Sequence, residues 1–274
     1  MKNRILIRLV PILIAAVVVF FQRCSSEKFT NEAGRTVHLG MDRGQEATLG
    51  LQAYQQVLST SRTITSGTAY DRVKKCAQRL AAATGESGRE FSWQVSLVDS
   101  PDVNAFCLPG GKIVVYTGIL PIAKTETGLA VVLGHEMAHA TLRHGSERML
   151  QQKTASTLMS GVNFSTGDMD PTQRRAIMGV IGAGAQYGFL LPFSRDHESE
   201  ADAIGLRYMA RAGYDPREAL SFWGRMGATG GKAPPEYAST HPAHETRIKR
   251  LTAELPNVLP LYEQAAKQAA SGSF

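Results

Sequence analysis

Apolar residues recur along the chain with two different spacings, and each spacing predicts a different kind of element. From about Gln45 to Leu58, and again from about Tyr70 to Ala83, they return every three or four residues, which predicts two helices. The stretch SWQVSLVD instead alternates apolar and polar residues. Its apolar positions Trp93, Val95 and Leu97 predict a strand.

A turn signal and a second strand follow this alternating stretch. Pro109, Gly110 and Gly111 predict a tight turn, and KIVVYTG after them predicts a strand, so we expect a small antiparallel sheet. After this strand the pattern is helical, over roughly 126–144, 146–160, 172–190, 194–212, 216–227 and 243–254. Strands followed by helices predict an α+β domain that is mostly helical.

The first 23 residues have the pattern of a targeting segment. A basic start, with Lys2, Arg4 and Arg8, precedes an unbroken apolar run from Leu9 to Phe21. This run is shorter than the roughly 20 residues of a membrane-spanning helix, and no small-residue cleavage site follows it. We therefore expect residues 1–23 to be either an atypical signal peptide or a short N-terminal membrane anchor.

The chain beyond residue 23 is expected to be exported, because the positive charges before it stay on the cytoplasmic side. Its expected location is the periplasm, in association with the membrane. Residues 24–43 are polar and contain glycine, which predicts a tether, and residues 44–270 are expected to form one domain. Cys24 would suit lipidation, but Arg23 is larger than the residue that normally precedes a lipidated cysteine, so this question stays open.

A second apolar stretch, Ala176–Leu191, contains glycines at helical spacing. Such glycines allow close helix packing in a membrane. The stretch is shorter than the roughly 20 residues that a span requires, and Gln186 lies within it. We therefore favour a buried helix that packs against the helix at 126–144 over an integral-membrane arrangement.

Composition limits the class of protein. With 43% hydrophobic and 20% charged residues, the chain can bury a core and is not disordered. Its net charge is +6, but no Lys/Arg run marks a nucleic-acid-binding face, so we expect no nucleic-acid partner. Cys76 and Cys107 could pair in an oxidising compartment or remain buried thiols, and the sequence leaves both alternatives open.

The sequence HEMAH, from His135 to His139, has the spacing of a metal-binding helix. Two histidines four residues apart lie on one helix face, one turn apart, so both imidazoles can bind one Zn²⁺. Glu136 follows the first histidine and can take a proton from water as a general base. The alternative is a pair of buried histidines, each with its own hydrogen-bond partner.

A third ligand is expected from a later helix, because a catalytic zinc has three protein ligands and an open position. The pattern H-x-x-G-x-x-H fails here, and His144 is expected at the polar end of a helix that stops at Gly145. In SRDHESEADAIG, Glu198 and Asp202 share a face. We expect Glu198 to bind the metal and Asp202 to accept the free N–H of a ligand histidine. The alternative is a solvated acidic helix start, and His197 is expected to be exposed.

Three segments together resemble a known family. GHEMAHATLRHG, LLPFSRDHESEADAIGLRYMARAGYDP and STHPAHETRI are similar to gluzincin metallopeptidases of the CAAX prenyl protease, HtpX and Oma types, most of all to exported bacterial members without internal membrane spans. The likeness covers roughly residues 44–255. NAFCLPGGKIVVYTGIL is similar to the active-site edge strand and hairpin of this family. Cys107 departs from the pattern, since a small apolar residue is more usual there.

The resemblance implies a zincin-type domain with its small sheet beside the active-site helix. It implies one Zn²⁺ per chain, bound by His135, His139 and Glu198, with Glu136 as general base and acid. These are the residues that the spacing had already singled out.

The resemblance also implies roles that the residues alone do not. His241, in the THP motif, would hydrogen-bond the oxyanion or occlude the metal's open position at rest. Arg247 would support the substrate or Asp202. An extended substrate would pair with the strand at 104–108, where the expected contacts are Asn104, Ala105 and Phe106.

The expected function is that of a zinc metalloendopeptidase that cleaves unfolded or misassembled proteins in the bacterial cell envelope. Its partners would be extended polypeptides, and its N-terminus would associate with the membrane. A second hypothesis is a latent protease that acts mainly as a chaperone-like peptide binder. The intact Glu136 argues against a dead enzyme but not against a latent one.

Overall fold

The computed structural model describes residues 2–185, 191–228 and 246–271. The chain forms two structural units. The first contains Met1–Thr30, Gly34–Asp42 and His144–His197, and the second contains Asn31–Ala33, Arg43–Arg143 and Glu198–Phe274. This division differs from the single domain expected over residues 44–270, because residues 144–197 group with the N-terminal segment.

Helices make up most of the described chain. They are α1 (Lys2–Ser25), α2 (Arg43–Thr60), α3 (Thr68–Ala83), α4 (Leu120–Ala123), α5 (Glu126–Thr141), α6 (His144–Ser165), α7 (Pro171–Ala185), α8 (Leu191–Arg211), α9 (Glu218–Ala228) and α10 (Arg247–Ala270). The strands are β1 (Glu27–Thr30), β2 (Thr36–Leu39), β3 (Thr63–Ile64), β4 (Gln94–Val98), β5 (Ala105–Leu108) and β6 (Lys112–Tyr116). The predicted α+β, mostly helical class is confirmed.

The first unit is built around the pairing of α1 with α6. The helices approach closely at Gly161, where an added Cβ would lie 2.7 Å from the Cβ of Ala15. The opposite side of α1 is apolar and exposed, with Leu13 (62%), Ile14 (58%), Val17 (54%), Phe20 (63%) and Phe21 (64%). Of the helices in the described part of the chain, none combines the length and the apolar character that crossing a membrane requires.

The segment expected as a tether contains a β-hairpin in the first unit. β1 and β2 are antiparallel, with Glu27 opposite Leu39 and Thr30 opposite Thr36. Val37 and Leu39 are each 2% exposed, and β2 contacts α6. Residues 27–39 are therefore folded and do not form an extended linker.

Helix α7 covers the first part of the apolar stretch at 176–191. It contacts α6, yet Val180 is 74% exposed and Ile181 is 38% exposed. The expectation of a buried helix is therefore wrong for the described part of α7, because its apolar residues lie on more sides than a single neighbouring helix can cover. Residues 186–190 lie outside the described chain.

Four strands of the second unit form one sheet in the order β3-β4-β6-β5. β5 and β6 form an antiparallel hairpin, with Ala105 opposite Val115, around the predicted turn at Pro109–Gly111. β4 runs parallel to β6, with Gln94 opposite Lys112, so the sheet is mixed and not purely antiparallel. The chain crosses from β4 to the far edge, forms β5 there and returns between them as β6.

Helix α5 lies at the centre of the second unit. Thr125 caps its N-terminus, since the Thr125 hydroxyl oxygen accepts a hydrogen bond of 3.0 Å from the N–H of Gly128. From Gly128 to Ala138 every residue is buried, and the helix contacts α3, α9 and β5. Polar side chains on this helix are therefore held in a surrounding from which water is largely excluded.

The C-terminal end of α5 is set by a tertiary contact. The helix ends at Thr141, before the stop expected at Gly145. Arg143 takes a left-handed backbone conformation with φ 59°, a conformation that glycine usually supplies. Its buried guanidinium donates through Nε to Glu46 Oε2 at 2.9 Å. This ion pair holds Arg143 in a position that its backbone preference does not favour.

Helix α10 continues beyond the end that was predicted at residue 254. Pro256 and Pro260 both lie inside it, although an interior proline removes a backbone hydrogen bond and costs about 3 kcal/mol. One face of the helix is apolar and packs on the core, which offsets this cost. The core-facing residues are Leu251, Leu255, Val258, Leu261 and Tyr262.

Helices α5 and α8 touch at two glycines. A Cβ added at Gly205 would lie 2.9 Å from the backbone nitrogen of His135, and one added at Gly134 would lie 3.0 Å from the carbonyl oxygen of Gly205. Both atoms belong to backbone, which cannot move aside as a flexible side chain can. The two helices can therefore keep this separation only if both positions lack side chains.

We expect Gly205→Ala to lower the free energy of unfolding by about 1–3 kcal/mol, because the added methyl group overpacks the α5–α8 contact. Gly224→Ala in α9 is the control, since no atom lies within 4 Å of its added Cβ. The control should be neutral or stabilise by up to about 1 kcal/mol, through helix propensity. Urea denaturation measures both changes, and equal effects of the two substitutions would contradict the close-contact explanation.

Candidate metal centre

Three side chains of the second unit converge on one point. His135 and His139 come from α5 and Glu198 comes from α8. The Nε2 atoms of the histidines are 3.1 Å apart, His135 Nε2 is 3.3 Å from Glu198 Oε2, and His139 Nε2 is 3.3 Å from Glu198 Oε1. Tetrahedral ligands of zinc, at the usual bond lengths, lie about 3.3–3.4 Å apart. One ligand atom from each of the three residues can therefore be chosen so that all lie within 4.8 Å of one another, close enough to hold one metal ion.

The three candidate ligands differ in their exposure. The side chains of His135 and Glu198 are 2% and 1% exposed, whereas that of His139 is 12% exposed. A buried carboxylate is costly unless a cation or hydrogen bonds compensate its charge. The chemistry of the group, two imidazoles and a carboxylate, suits a divalent metal such as zinc.

Asp202 lies on α8, one turn after Glu198, and contacts the first histidine. Its Oδ1 is 3.0 Å from His135 Nδ1. A carboxylate accepts, so Nδ1–H is the donor, which leaves the lone pair of Nε2 directed at the metal position. The contact thus selects the tautomer of His135 that can act as a ligand.

Arg247, at the first position of α10, connects the two carboxylates. Its Nε donates to Asp202 Oδ2 at 2.9 Å and its Nη2 donates to Asp202 Oδ1 at 2.8 Å. The same Nη2 lies 3.2 Å from Glu198 Oε2. The guanidinium therefore orients Asp202 by two parallel bonds and helps to balance the charge of Glu198.

Trp223 on α9 completes the surroundings of this network. The guanidinium carbon of Arg247 lies 3.6 Å from the centre of its ring, and the ring of His135 meets it edge to face at 5.7 Å. This stacking restricts Arg247 to the plane in which it reaches Asp202. Sequence reasoning missed Trp223, because a tryptophan in an amphipathic helix carries no signal beyond that of a core residue.

The pKa values within this network follow from burial and pairing. Burial lowers the pKa of His135, but hydrogen bonds to Asp202 and Glu198 outweigh this effect and raise it to about 9. Burial raises the pKa of Asp202, yet the Arg247 charge and the contact with His135 bring it below its usual value. Asp202 is therefore ionised at neutral pH.

Glu136 lies next to His135 on α5 and is 3% exposed. Strand β5 packs against this helix, and the Glu136 charge reaches Cys107 on that strand. Burial, with this negative charge as a second cause, raises the pKa of the Cys107 thiol well above its usual value. Cys107 and Cys76 are both free thiols, so the alternative of a disulfide between them is excluded in this structure.

The strand expected to bind substrate is the edge of the described sheet. β5 pairs with β6 along one side. Asn104 is 7% exposed and Ala105 is fully buried, and the ring of Phe106 packs against Tyr116 at 6.0 Å. Asn104 and Ala105 therefore face the protein interior, whereas the rest of β5, from Phe106 to Leu108, is half-buried.

The remaining expected site residue, His241, lies outside the described residues. Arg247 from the same motif is described and lies in the site. The structure therefore brings together His135, Glu136, His139, Glu198, Asp202 and Arg247.

Two further histidines are buried in the first unit, although His197 was expected to be exposed. His144 and His197 are 1% and 0% exposed, and their rings stack at 4.0 Å. His197 Nε2 is 3.0 Å from Glu147 Oε2, and Glu147 accepts two hydrogen bonds from Arg35. The expectation that His197 is exposed was wrong, because its polar sequence neighbours do not reveal a distant partner such as Glu147.

Comparisons with known proteins show that residues 69–255 match a family described as Peptidase family M48. The chain is 38% identical to the mitochondrial metalloendopeptidase OMA1 of Schizosaccharomyces pombe over 186 residues, 67% of this chain and 52% of that protein. It is 31% identical to the OMA1 metalloendopeptidase of Danio rerio over 258 residues, 91% of this chain and 54% of that protein.

A bacterial protein is also similar. The chain is 26% identical to the beta-barrel assembly-enhancing protease of Escherichia coli over 240 residues, 86% of this chain and 48% of that protein. The chain thus spans about half the length of these three relatives, from 48% to 54%.

Metal affinity is expected to rise with pH, because His135 must be neutral to bind a metal. The pKa of His135 is raised to about 9. Below that pH, each ion that binds must displace a proton from His135. The apparent affinity for zinc should rise at least about tenfold per pH unit between pH 6 and pH 8. Competition titrations with a chromophoric chelator measure this slope. A zinc affinity that does not change with pH would contradict the raised pKa of His135. Asp202→Asn should make the affinity depend less steeply on pH, because the contact with Asp202 is one of the causes that raise this pKa.

Replacing Trp223 by leucine should lower zinc affinity by about tenfold, because Arg247 loses the ring that orients it toward Asp202. Trp223→Phe keeps an aromatic face and should retain most of the affinity. Zinc titration is the measurement, with thermal unfolding to show that each variant is folded. If both variants lose affinity equally, Trp223 serves as packing and does not position Arg247.

Proposed function

This chain belongs to peptidase family M48, and we propose that it is a zinc-dependent endopeptidase that cleaves unfolded or misassembled polypeptides. The observation that carries this proposal is the convergence of His135, His139 and Glu198, in which the two Nε2 atoms are 3.1 Å apart and each lies 3.3 Å from one oxygen of the Glu198 carboxylate. Glu136 lies beside it on the same helix. The names of the relatives, as metalloendopeptidases and as a protease, support the same activity.

The proposed ligands would hold one zinc ion per chain. When bound, zinc supplies a Lewis acid that makes water more acidic and polarises a peptide carbonyl. Asp202 keeps the proton on Nδ1 of His135, and Arg247 keeps Asp202 in place. Each of these residues acts through its contacts and does not touch the substrate.

Glu136 would move the proton during hydrolysis. Its carboxylate accepts a proton from the attacking water and delivers it to the nitrogen of the departing amine. Burial of Glu136, at 3% exposure, keeps bulk water from competing for this proton. His241, by resemblance, would hydrogen-bond the oxyanion that forms on the carbonyl.

The substrate would bind in an extended form beside β5. The buried side chains of Asn104 and Ala105 support recognition through backbone hydrogen bonds, with little reading of sequence. Such recognition suits unfolded segments, whose backbone groups are not already paired.

We propose that the protein is exported and associates with a membrane through its N-terminus. The exposed apolar side of α1, including Phe20 at 63% and Phe21 at 64% exposure, supports attachment to a lipid surface. The basic residues before it favour export of the chain beyond α1. The name of the Escherichia coli relative, a beta-barrel assembly-enhancing protease, supports a quality-control role in the cell envelope.

We expect Glu136→Gln to keep bound zinc and lose casein cleavage by at least about 100-fold, because the general base is removed while the ligands remain. Elemental analysis of the purified full chain measures zinc, and release of soluble fragments measures cleavage. Equal cleavage by both proteins would refute the role of Glu136. Zinc in the wild type with no cleavage would favour the latent, chaperone-like binder.

A further inference from the structure

The sheet of the second unit has a second open edge. Among the described residues, β4 pairs with β6 over its whole length, whereas it pairs with β3 only at Leu97 and Val98. The remaining edge, Gln94–Ser96, therefore has no strand beside it in the described chain. An open edge of this kind is a template for pairing with an extended chain.

The direction of the backbone groups along this edge follows from the ladder. The N–H of Gln94 donates to Gly111 at 2.9 Å, so Gln94 faces β6. In a parallel ladder alternate residues face the same neighbour. Gln94 and Ser96 therefore bond toward β6, and the N–H and C=O of Val95 point to the open side.

A groove of about 360 Å³ runs beside this edge. Helix α3 forms one wall with Tyr70, Lys74 and Gln78, and Trp93 and Val95 form the other. The ring of Trp93 is fixed by two contacts. Its Nε1 donates to the carbonyl oxygen of Gly88 at 3.1 Å, and the ring stacks on that of Phe91, with the ring centres 4.8 Å apart. The groove is thus apolar at its base and carries the positive charge of Lys74 at its rim.

We propose that this edge and groove form an exosite that binds a second extended stretch of the same polypeptide substrate, a proposal that rests on the peptidase function above. A strand that pairs with Val95 would turn every second side chain toward α3 and into the groove. Apolar side chains fit its base, and an acidic side chain would pair with Lys74. A partner that is already folded offers no free backbone for this edge.

The two edges of the sheet are close enough for one chain to occupy both. A peptide on β5 and a peptide on β4 would be separated by four strand spacings, about 19 Å. About six extended residues cover that distance. Long unfolded chains can therefore bind at two places, which raises their effective affinity, while short peptides bind only beside β5.

Ala81→Phe tests this exosite by filling the groove, which Ala81 lines. The control is Ala82→Phe, the same change on the next residue of α3, whose exposed side chain does not line the groove. We expect Ala81→Phe to lower kcat/KM for casein at least about tenfold through KM. A quenched fluorescent peptide of about six residues, too short to reach both edges, should be cleaved as by the wild type.

Binding provides a readout that does not require cleavage. In the Glu136→Gln background, labelled casein should bind more weakly when Ala81→Phe is added and equally well when Ala82→Phe is added. Wild type that cleaves neither substrate would refute the proposed function, while the binding comparison would still decide the exosite. Two results would overturn the exosite. One is equal casein binding by the Ala81→Phe and Ala82→Phe variants, and the other is an equal loss of kcat/KM for casein and for the short peptide in Ala81→Phe.

Two charge-reversal variants test the exosite independently, in case Ala81→Phe does not fold. Lys74→Glu changes the rim of the groove, and Arg72→Glu makes the same change on an exposed position of α3 outside it. We expect weaker casein binding for Lys74→Glu alone. If Lys74→Glu and Arg72→Glu weaken casein binding equally, the effect comes from the net charge of the protein, and the role of the groove is overturned.

Discussion

The backbone contact between α5 and α8 at Gly134 and Gly205 is the constraint on which the metal site depends. Gly134 precedes His135 directly, and Gly205 lies seven residues after Glu198, two helix turns along the same face. Because neither position carries a side chain, the helices approach until the Glu198 carboxylate lies 3.3 Å from both imidazoles. A bulkier residue at either position would move the carboxylate ligand away from both histidines together.

Charge balance within this contact points to a divalent ion. When ionised, the buried carboxylates of Glu136, Glu198 and Asp202 bring three negative charges into a region from which water is largely excluded, and Arg247 supplies one positive charge there. Two negative charges remain, which a divalent cation compensates. The same negative surroundings raise the pKa of His135 to about 9. The composition of the group therefore favours a divalent cation.

Local patterns predicted the elements of the site better than they predicted its surroundings. The four-residue spacings of His135 with His139 and of Glu198 with Asp202 need only a helix, so the sequence was sufficient to group these residues. Trp223 could not be predicted, because its contact with Arg247 joins two helices that share no motif. The continuation of α10 through Pro256 was missed for a related reason, since the burial that offsets its cost comes from tertiary packing.

The path of the chain through the sheet decides which of its strands can pair with another chain. Because β6 lies between β4 and β5, the sheet keeps one edge beside α5 and another beside α3. The middle strand is buried from Lys112 to Val115 and cannot reach a substrate itself. Recognition by strand edges depends on free backbone N–H and C=O groups, which folded proteins have already paired. An enzyme that binds at two such edges would select the unfolded state of its substrate before it selects any sequence.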